Sequence, residues 1–409
     1  MLRDRNIVCL SSIDWDFLWQ GHQQIMSSLA DAGNRVLFVE STGVRSPTRR
    51  DLPRLWRRLK TASGRSAPRA THAHQRRPDQ LRIYSPVVLP FPYSRTARAV
   101  NLPIMRRAIR RGTGDWSATP PIVWNFLPTP LSRSIARSLN PALSVFHCVD
   151  HLSVSSPAAA RVRDTESRCF SEADLVFVTS QSLHDRAAAL NAHVHLVPSG
   201  VDFPLFDRVR VAGGPLPEDL ARLPRPVVGY LGGLHQWVDQ PLLAALAARR
   251  PDWSVVLVGP QQTDTSALTR MPNVHALGTR GPEDVPRYLR GFDVATIPYR
   301  LTDYTDHVYP AKLNEYLAMG LGVVATPLAE ITRFNQTHGP VVRVAADVAA
   351  FEAAVASELS EADQGAVGRR VAVAKENSWA ARLELMSSLI VEAQARRTGP
   401  DSCVVSQAN

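Results

Sequence analysis

Lysine is nearly missing from this 409-residue chain: Lys60, Lys312 and Lys375 stand against 44 arginines. Such a chain reserves the compact ammonium for very few positions. Cysteine is scarce as well. Cys9, Cys148, Cys169 and Cys403 show neither disulfide nor metal-type spacing, which fits a reducing compartment and implies no bound metal. No run approaches the ~18 apolar residues of a membrane span. The apolar part of the N-terminal lead is too short for a secretory signal, so the expected location is the cytoplasm. HExxH, GxSxG and GxxxxGK followed by Ser or Thr are all missing. Metalloprotease, α/β-hydrolase and P-loop nucleotidase chemistry are thereby disfavoured.

Acids are nearly absent from residues 45–111, which hold 18 Arg or Lys against Asp51 and Asp79, a local charge of +16 in a chain of net +10. That asymmetry points to a polyanionic surface, either nucleic acid or anionic lipid. The aromatics there, Trp56, Tyr84, Phe91 and Tyr93, are not interleaved on a strand platform, so no nucleic-acid partner is expected. Leu55, Trp56 and Leu59 fall at helical spacing among Arg54, Arg57, Arg58 and Lys60, the pattern of an interfacial helix. Arg106, Arg107, Arg110 and Arg111 form a second basic stretch near Leu102, Ile104 and Met105. The expected partner is an anionic membrane surface, which would place the protein peripherally at the inner face of the plasma membrane. A solvated basic loop is the alternative.

What is present is a strand–helix rhythm. Apolar strands are expected at 6–11, 35–40, 81–84, 122–125, 144–147, 175–179 and 195–198, with helical patterns between them. A second series runs at 227–231, 254–258, 274–277, 294–297, 323–325 and 341–344. Alternation of this kind is the mark of doubly wound parallel sheets. The expected segmentation is 1–198 with a mobile Pro-, Arg- and Ser-rich insertion at 45–78, a linker at 199–225, and a second domain at 226–377. A helix at 378–396 would pack back across the junction, and 397–409 would be a disordered tail.

The most informative stretch is 305–326. Leu313, Tyr316, Leu317 and Gly320 fall at helical spacing, and Pro310 fits a first helical turn. Gly320 and Gly322 stop the helix before the next strand. A helix N-terminus facing a strand-end loop offers N–H groups and a partial positive charge to an anion. Lys312 sits at that mouth, where an ammonium suits a phosphate as a point charge; a solvated helix-face lysine is the alternative. Glu315, one turn on, could accept hydrogen bonds from sugar hydroxyls or be a plain surface carboxylate.

The run Pro310-Ala-Lys-Leu-Asn-Glu-Tyr-Leu-Ala-Met-Gly320 and the strand after it resemble the donor-binding helix of nucleotide-sugar glycosyltransferases of the GT-B fold. The likeness is to glycosyltransferase family 4 and to bacterial cell-surface polysaccharide enzymes of teichuronic-acid or exopolysaccharide type. The resemblance implies α/β architecture with two Rossmann-like doubly wound domains facing across a cleft. It also implies a nucleotide-diphosphate sugar as donor, a lipid-linked or glycan acceptor and retention of configuration; no cofactor is expected and metal dependence is not implied, because Lys312 and the helix dipole can offset pyrophosphate charge without an ion. Glu315 matches the ribose-binding Glu of the family's Glu-x7-Glu pair, and His307 replaces the first Glu, leaving Asp306 or Asp303 to stand in. The amides of 310–313, Leu313 among them, would join Lys312 in stabilising the leaving pyrophosphate.

Other constellations fit the same frame. Gly232 and Gly233 end a strand and would let backbone approach a phosphate, or would form a plain tight turn. Family members often carry Arg after the first Gly and Lys five residues on; Gly233 and Val238 occupy those positions here. Gly278, Thr279 and Arg280 match a loop that frames the nucleotide base, with Arg280 either stacked on it or solvated. His147 and Asp150 close a strand of the first half and offer a base, or a group that orients one, with a structural histidine as the alternative. His22 opens the first helix, after a loop at 11–16 that lies at a strand's C-terminal end, where ligands of open α/β sheets bind, or is simply a surface helix residue. A nucleotide-sugar epimerase or a glycan phosphorylase of the same fold is the runner-up reading.

Overall fold

The computed structural model describes residues 1–43, 77–114, 116, 119–155, 159–360 and 364–398. The insertion expected at 45–78 lies outside these residues except for 77 and 78, and the basic helix expected at 53–60 lies wholly outside them. Two compact units are present: Met1–Val197 together with the chain from Leu383 on, and Pro198–Arg382.

The first unit is built on β1 (Asn6–Leu10), β2 (Arg35–Val39), β3 (Leu81–Tyr84), β4 (Ile122–Asn125), β5 (Leu143–Cys148), β6 (Leu175–Val178) and β7 (Val194–Leu196). They form one sheet in the order β3-β2-β1-β4-β5-β6-β7, and each pairing is parallel. All five residues of β1 are buried, as expected of a strand covered on both faces by crossover helices. Val8, Leu10, Leu37, Val39 and Val123 pack against Met105 and Ile109 of the helix Arg95–Gly112. That helix starts where Ser94 Oγ accepts the Ala97 amide at 3.2 Å, and it buries Ala97, Asn101, Met105 and Ile109, one residue per turn.

The second unit is built on β8 (Val227–Leu231), β9 (Ser254–Val258), β10 (Val274–Gly278), β11 (Val294–Ile297), β12 (Gly322–Ala325) and β13 (Arg343–Val344). Their order is β10-β9-β8-β11-β12-β13, again parallel throughout. Side-chain alternation divides its core. Ala295, Ile297, Val323 and Ala325 join one cluster, while Val294 and Val324 join another with Leu246, Phe351 and Val355.

Three expectations change. The stretch 199–225 is more than a linker, because it carries helices Phe203–Ala212 and Glu218–Ala221. Val201, Phe206 and Leu220 are buried in the core of the second unit, so this stretch is part of its fold. The helix expected from Pro310 starts at Lys312, with Ala311 at the N-cap. Pro310 lies one residue before that cap, where its carbonyl accepts the Leu313 amide at 2.9 Å. Last, the terminal helix runs Trp379–Thr398, so residues 397 and 398 are helical and Arg397 pairs with Asp174 at 2.5 Å. No helix among the described residues is long and apolar enough to cross a membrane.

Candidate functional site

In the second unit the C-terminal ends of β8, β9 and β10 meet through glycines. Gly232 follows β8 with φ +128° and donates its amide to the Val258 carbonyl at 2.8 Å. Gly259 follows β9 with φ +148°, and a Cβ there would stand 2.1 Å from the Gly232 oxygen. No side chain fits between those turns. Gly259 in turn donates to the Gly278 carbonyl at 2.9 Å, which joins the third turn to the other two.

Lys312 reaches into this junction. A Cβ on Gly232 would lie 3.0 Å from both Cε and Nζ of Lys312, so the ammonium rests against the bare backbone of the β8 turn. Its Nζ donates to the Tyr299 hydroxyl and, at 3.3 Å, to the Tyr230 hydroxyl. It also lies 4.6 Å from the centroid of each of those rings. Lys312 is therefore a caged, half-buried cation, and the reading of it as a solvated helix-face residue is set aside. Tyr230 itself donates to the Gly233 carbonyl at 2.9 Å, which ties the cage to the glycine turn. Tyr316 fixes the strand beneath, accepting the Leu231 amide at 2.8 Å.

Glu315 keeps part of its surface open, yet its carboxyl is deeply surrounded by protein. Burial pushes its pKa up to about 7, against the opposing pull of the Lys312 ammonium. His235 is lowered to about 4 by burial and then by the same ammonium, so it is neutral near pH 7. Its ring stacks on Trp237 at 3.9 Å, and Trp237 meets Tyr304 at 4.9 Å. Nothing in the sequence drew attention to Tyr230, His235, Trp237, Tyr299 or Tyr304. They come from the ends of two strands and the loops that follow them, and only the sheet order gathers them.

The remaining expected residues are placed less evenly. Leu313 is fully buried and its amide is engaged by Pro310, so it can offer an anion neither side chain nor N–H. Asp306 is exposed and His307 half-buried on the short turn Thr305–His307. Thr305 fixes that turn by donating to the Arg300 carbonyl at 2.6 Å. Gly278 has φ +77° and Thr279 is exposed. Arg280 is neither solvated nor free to stack: it pairs with Asp219 at 2.5 Å and lies 4.8 Å above the Tyr288 ring. Tyr288 donates to the same carboxylate at 3.0 Å.

In the first unit His147 is the next-to-last residue of β5 and lies in an aromatic nest. It is 3% exposed, stacked on Phe126 at 4.9 Å and flanked by Trp124 and Phe177. Burial, and then the nearby His22, hold its pKa down at about 3, so it is neutral; among the described residues its Nδ1 has no hydrogen-bond partner. His22 is likewise buried and lowered to about 3, with its Nε2 2.9 Å from Ser12 Oγ and its ring 4.1 Å from Phe126. The two histidines share one phenyl ring, a link no spacing in the sequence reveals. Asp150 lies beyond the strand end, half-buried, with its carbonyl accepting the Leu152 amide at 2.9 Å. The expected residues thus gather in two groups, one in each unit.

Residues 225–361 match the family described as Glycosyl transferases group 1. Over 185 residues the chain is 31% identical to the Bacillus subtilis (strain 168) protein named "Putative teichuronic acid biosynthesis glycosyltransferase TuaH". That match covers 43% of this chain and 46% of the relative, less than half of the relative's own length. Among solved structures, the sucrose-phosphate synthase of Thermosynechococcus elongatus superposes with a TM-score of 0.68 at 18% identity, covering 96% of this chain and 100% of that one. Anabaena Alr3699/HepE in complex with UDP-glucose gives 0.63 at 12% identity, with 95% and 100% covered. A glycosyltransferase from Rickettsia africae gives 0.63 at 12%, with 97% and 99% covered. At these identities the likeness shows the fold, which is GT-B.

Proposed function

From a chain of GT-B fold with a group 1 glycosyl transferase domain over residues 225–361, we propose an enzyme that moves a sugar from a nucleotide-diphosphate sugar to a lipid-linked or glycan acceptor. The pathway class would be cell-surface polysaccharide synthesis, in line with the name of the Bacillus subtilis relative. The enzyme would act peripherally at the inner face of the membrane and retain the configuration of the sugar. Because Anabaena Alr3699/HepE has been solved with UDP and with UDP-glucose, uridine nucleotides are the first donors to test.

The observation that carries this reading is the Lys312 ammonium set against the side-chain-free backbone of Gly232 at the end of β8. In the transfer, a bond forms between an acceptor oxygen and the anomeric carbon, and the bond from that carbon to the pyrophosphate oxygen breaks. The nucleoside diphosphate departs with the bonding pair. A fixed cation beside a turn open to close approach stabilises the charge that develops on that oxygen. Glu315 would accept the ribose hydroxyls once ionised. On the first unit, His147 would act as a neutral hydrogen-bonding group, and Asp150 as the base or its orienter.

The test is release of free nucleoside diphosphate from a set of nucleotide sugars, with and without acceptor glycolipid. Release that requires acceptor supports transfer. Isomerisation of the sugar without acceptor would replace this reading with an epimerase.

A further inference from the structure

We propose that the helix Arg95–Gly112 and the loop at 87–91 form a docking face for an anionic lipid bilayer. Thirteen large apolar side chains are exposed among the described residues, and five of them crowd into this short span: Val87, Leu89, Phe91, Val100 and Ile104. Phe91 is 52% exposed and Val100 48%. Elsewhere such residues are scattered, which is ordinary, whereas a local concentration marks a contact surface.

The loop does not hang free. Asn101 is buried at 2% exposure on the inner side of the helix. Its side chain accepts the Leu89 amide at 2.8 Å and donates to the Leu89 carbonyl at 2.9 Å. One amide group therefore clamps the loop to the helix, and the exposed apolar residues of both belong to one local surface.

Helical spacing sets out the rest. The buried stripe is Ala97, Asn101, Met105 and Ile109. Val100 and Ile104, four residues apart, lie off that stripe, and the same line continues through Arg107 and Arg111. Residues 85–114 contain six arginines and no acid. Off its buried stripe the helix thus carries exposed Val100 and Ile104, and its only charged residues are arginines. Protein surfaces that face only water usually mix both signs. Exposed apolar side chains beside arginines, in a span that contains no acid, suit headgroups above and acyl chains below. Nucleic acid would use the arginines and leave Val100, Leu89 and Ile104 without a role. The proposal rests on the glycosyltransferase reading for its purpose, since a lipid-linked acceptor lies in that plane, and not for its test.

The experiment is flotation of the full chain with phosphatidylglycerol-containing vesicles and with phosphatidylcholine vesicles alone, at low and high salt. Binding is expected to the anionic vesicles and to weaken with salt. Each arginine near an anionic leaflet contributes about fivefold in partitioning. Replacing Arg106, Arg107, Arg110 and Arg111 with Gln should therefore lower binding by more than about a hundredfold. Phe91→Trp should show blue-shifted emission on the vesicles, and Phe91→Ser with Ile104→Ser should weaken binding at unchanged charge. Transfer to a soluble acceptor should survive in all of these, which separates failure here from failure of the enzymatic reading. The proposal is overturned if the four-arginine variant floats like the wild type. Unmoved Phe91→Trp emission in bound protein would also overturn it. So would loss of binding through Gln replacement of Arg54, Arg57, Arg58 and Lys60 alone, or tighter retention by nucleic acid than by vesicles.

Discussion

Replacing Glu315 with Gln should stabilise the ligand-free protein and weaken its hold on the nucleotide, with both effects governed by pH. Burial raises the carboxyl from its ordinary 4.5 to about 7. The folded state then keeps a proton that the unfolded chain has already released, so stability falls as pH rises between those two values. The gap corresponds to about 3 kcal/mol once pH exceeds both. Glu315→Gln removes that cost, raising the unfolding free energy by up to about 3 kcal/mol near pH 8 and by less than about 1 kcal/mol near pH 5. Nucleotide binding runs the other way. Ribose hydroxyls donate to an ionised carboxylate, so binding should release a proton and tighten with pH. With a pKa of about 7 the ionised fraction rises about tenfold between pH 6 and pH 8, equivalent to about 1.4 kcal/mol of affinity. Calorimetry with an intact nucleotide sugar, in two buffers of different ionisation enthalpy, reads both affinity and proton release. A wild-type affinity that ignores pH, or the same pH slope in Glu315→Gln, would refute the reasoning.

Gly259→Ala should cripple the second unit, because the new Cβ would stand 2.1 Å from the Gly232 oxygen at a φ of +148°; thermal unfolding should show a loss of several kcal/mol. Tyr299→Phe removes one of the two hydroxyls that accept from Lys312. Turnover should drop by about tenfold, on the scale of one hydrogen bond to a charged group, with the fold unchanged by circular dichroism. Asp150→Asn should cut transfer while donor affinity, measured by calorimetry, stays at the wild-type value; lost donor affinity would assign that strand end another role.

Much of the architecture could be read from residues alone, since strands such as Ile7–Leu10 and Val255–Val258 are continuous apolar runs that only a sheet covered on both faces accommodates. Lys312 and Gly232 were legible because each is chemically singular, one a rare ammonium and the other part of a glycine pair. Their neighbours were not. Tyr230 and Tyr299 look like ordinary aromatic residues at strand ends, and they become a cage only because β8 and β11 are adjacent in the sheet. Leu313 reads as a helix-start amide, yet the turn closed by Pro310 engages it first. The stretch 199–225 reads as a linker for its prolines and glycines, while Val201, Phe206 and Leu220, far apart in sequence, become core once the chain wraps the second sheet. Long-range packing decided the cage and the 199–225 stretch, and local pattern carries no trace of it.

The measurement that bears most directly on the whole account is donor turnover by Lys312→Ala beside the wild type, with acceptor saturating. An interaction made more strongly in the transition state than in the ground state lowers kcat as well as kcat/KM. Loss of about a hundredfold or more in kcat, in a protein that unfolds at the wild-type temperature, is the predicted result. Wild-type kcat in a correctly folded Lys312→Ala protein would contradict the claim that this caged ammonium stabilises the departing pyrophosphate.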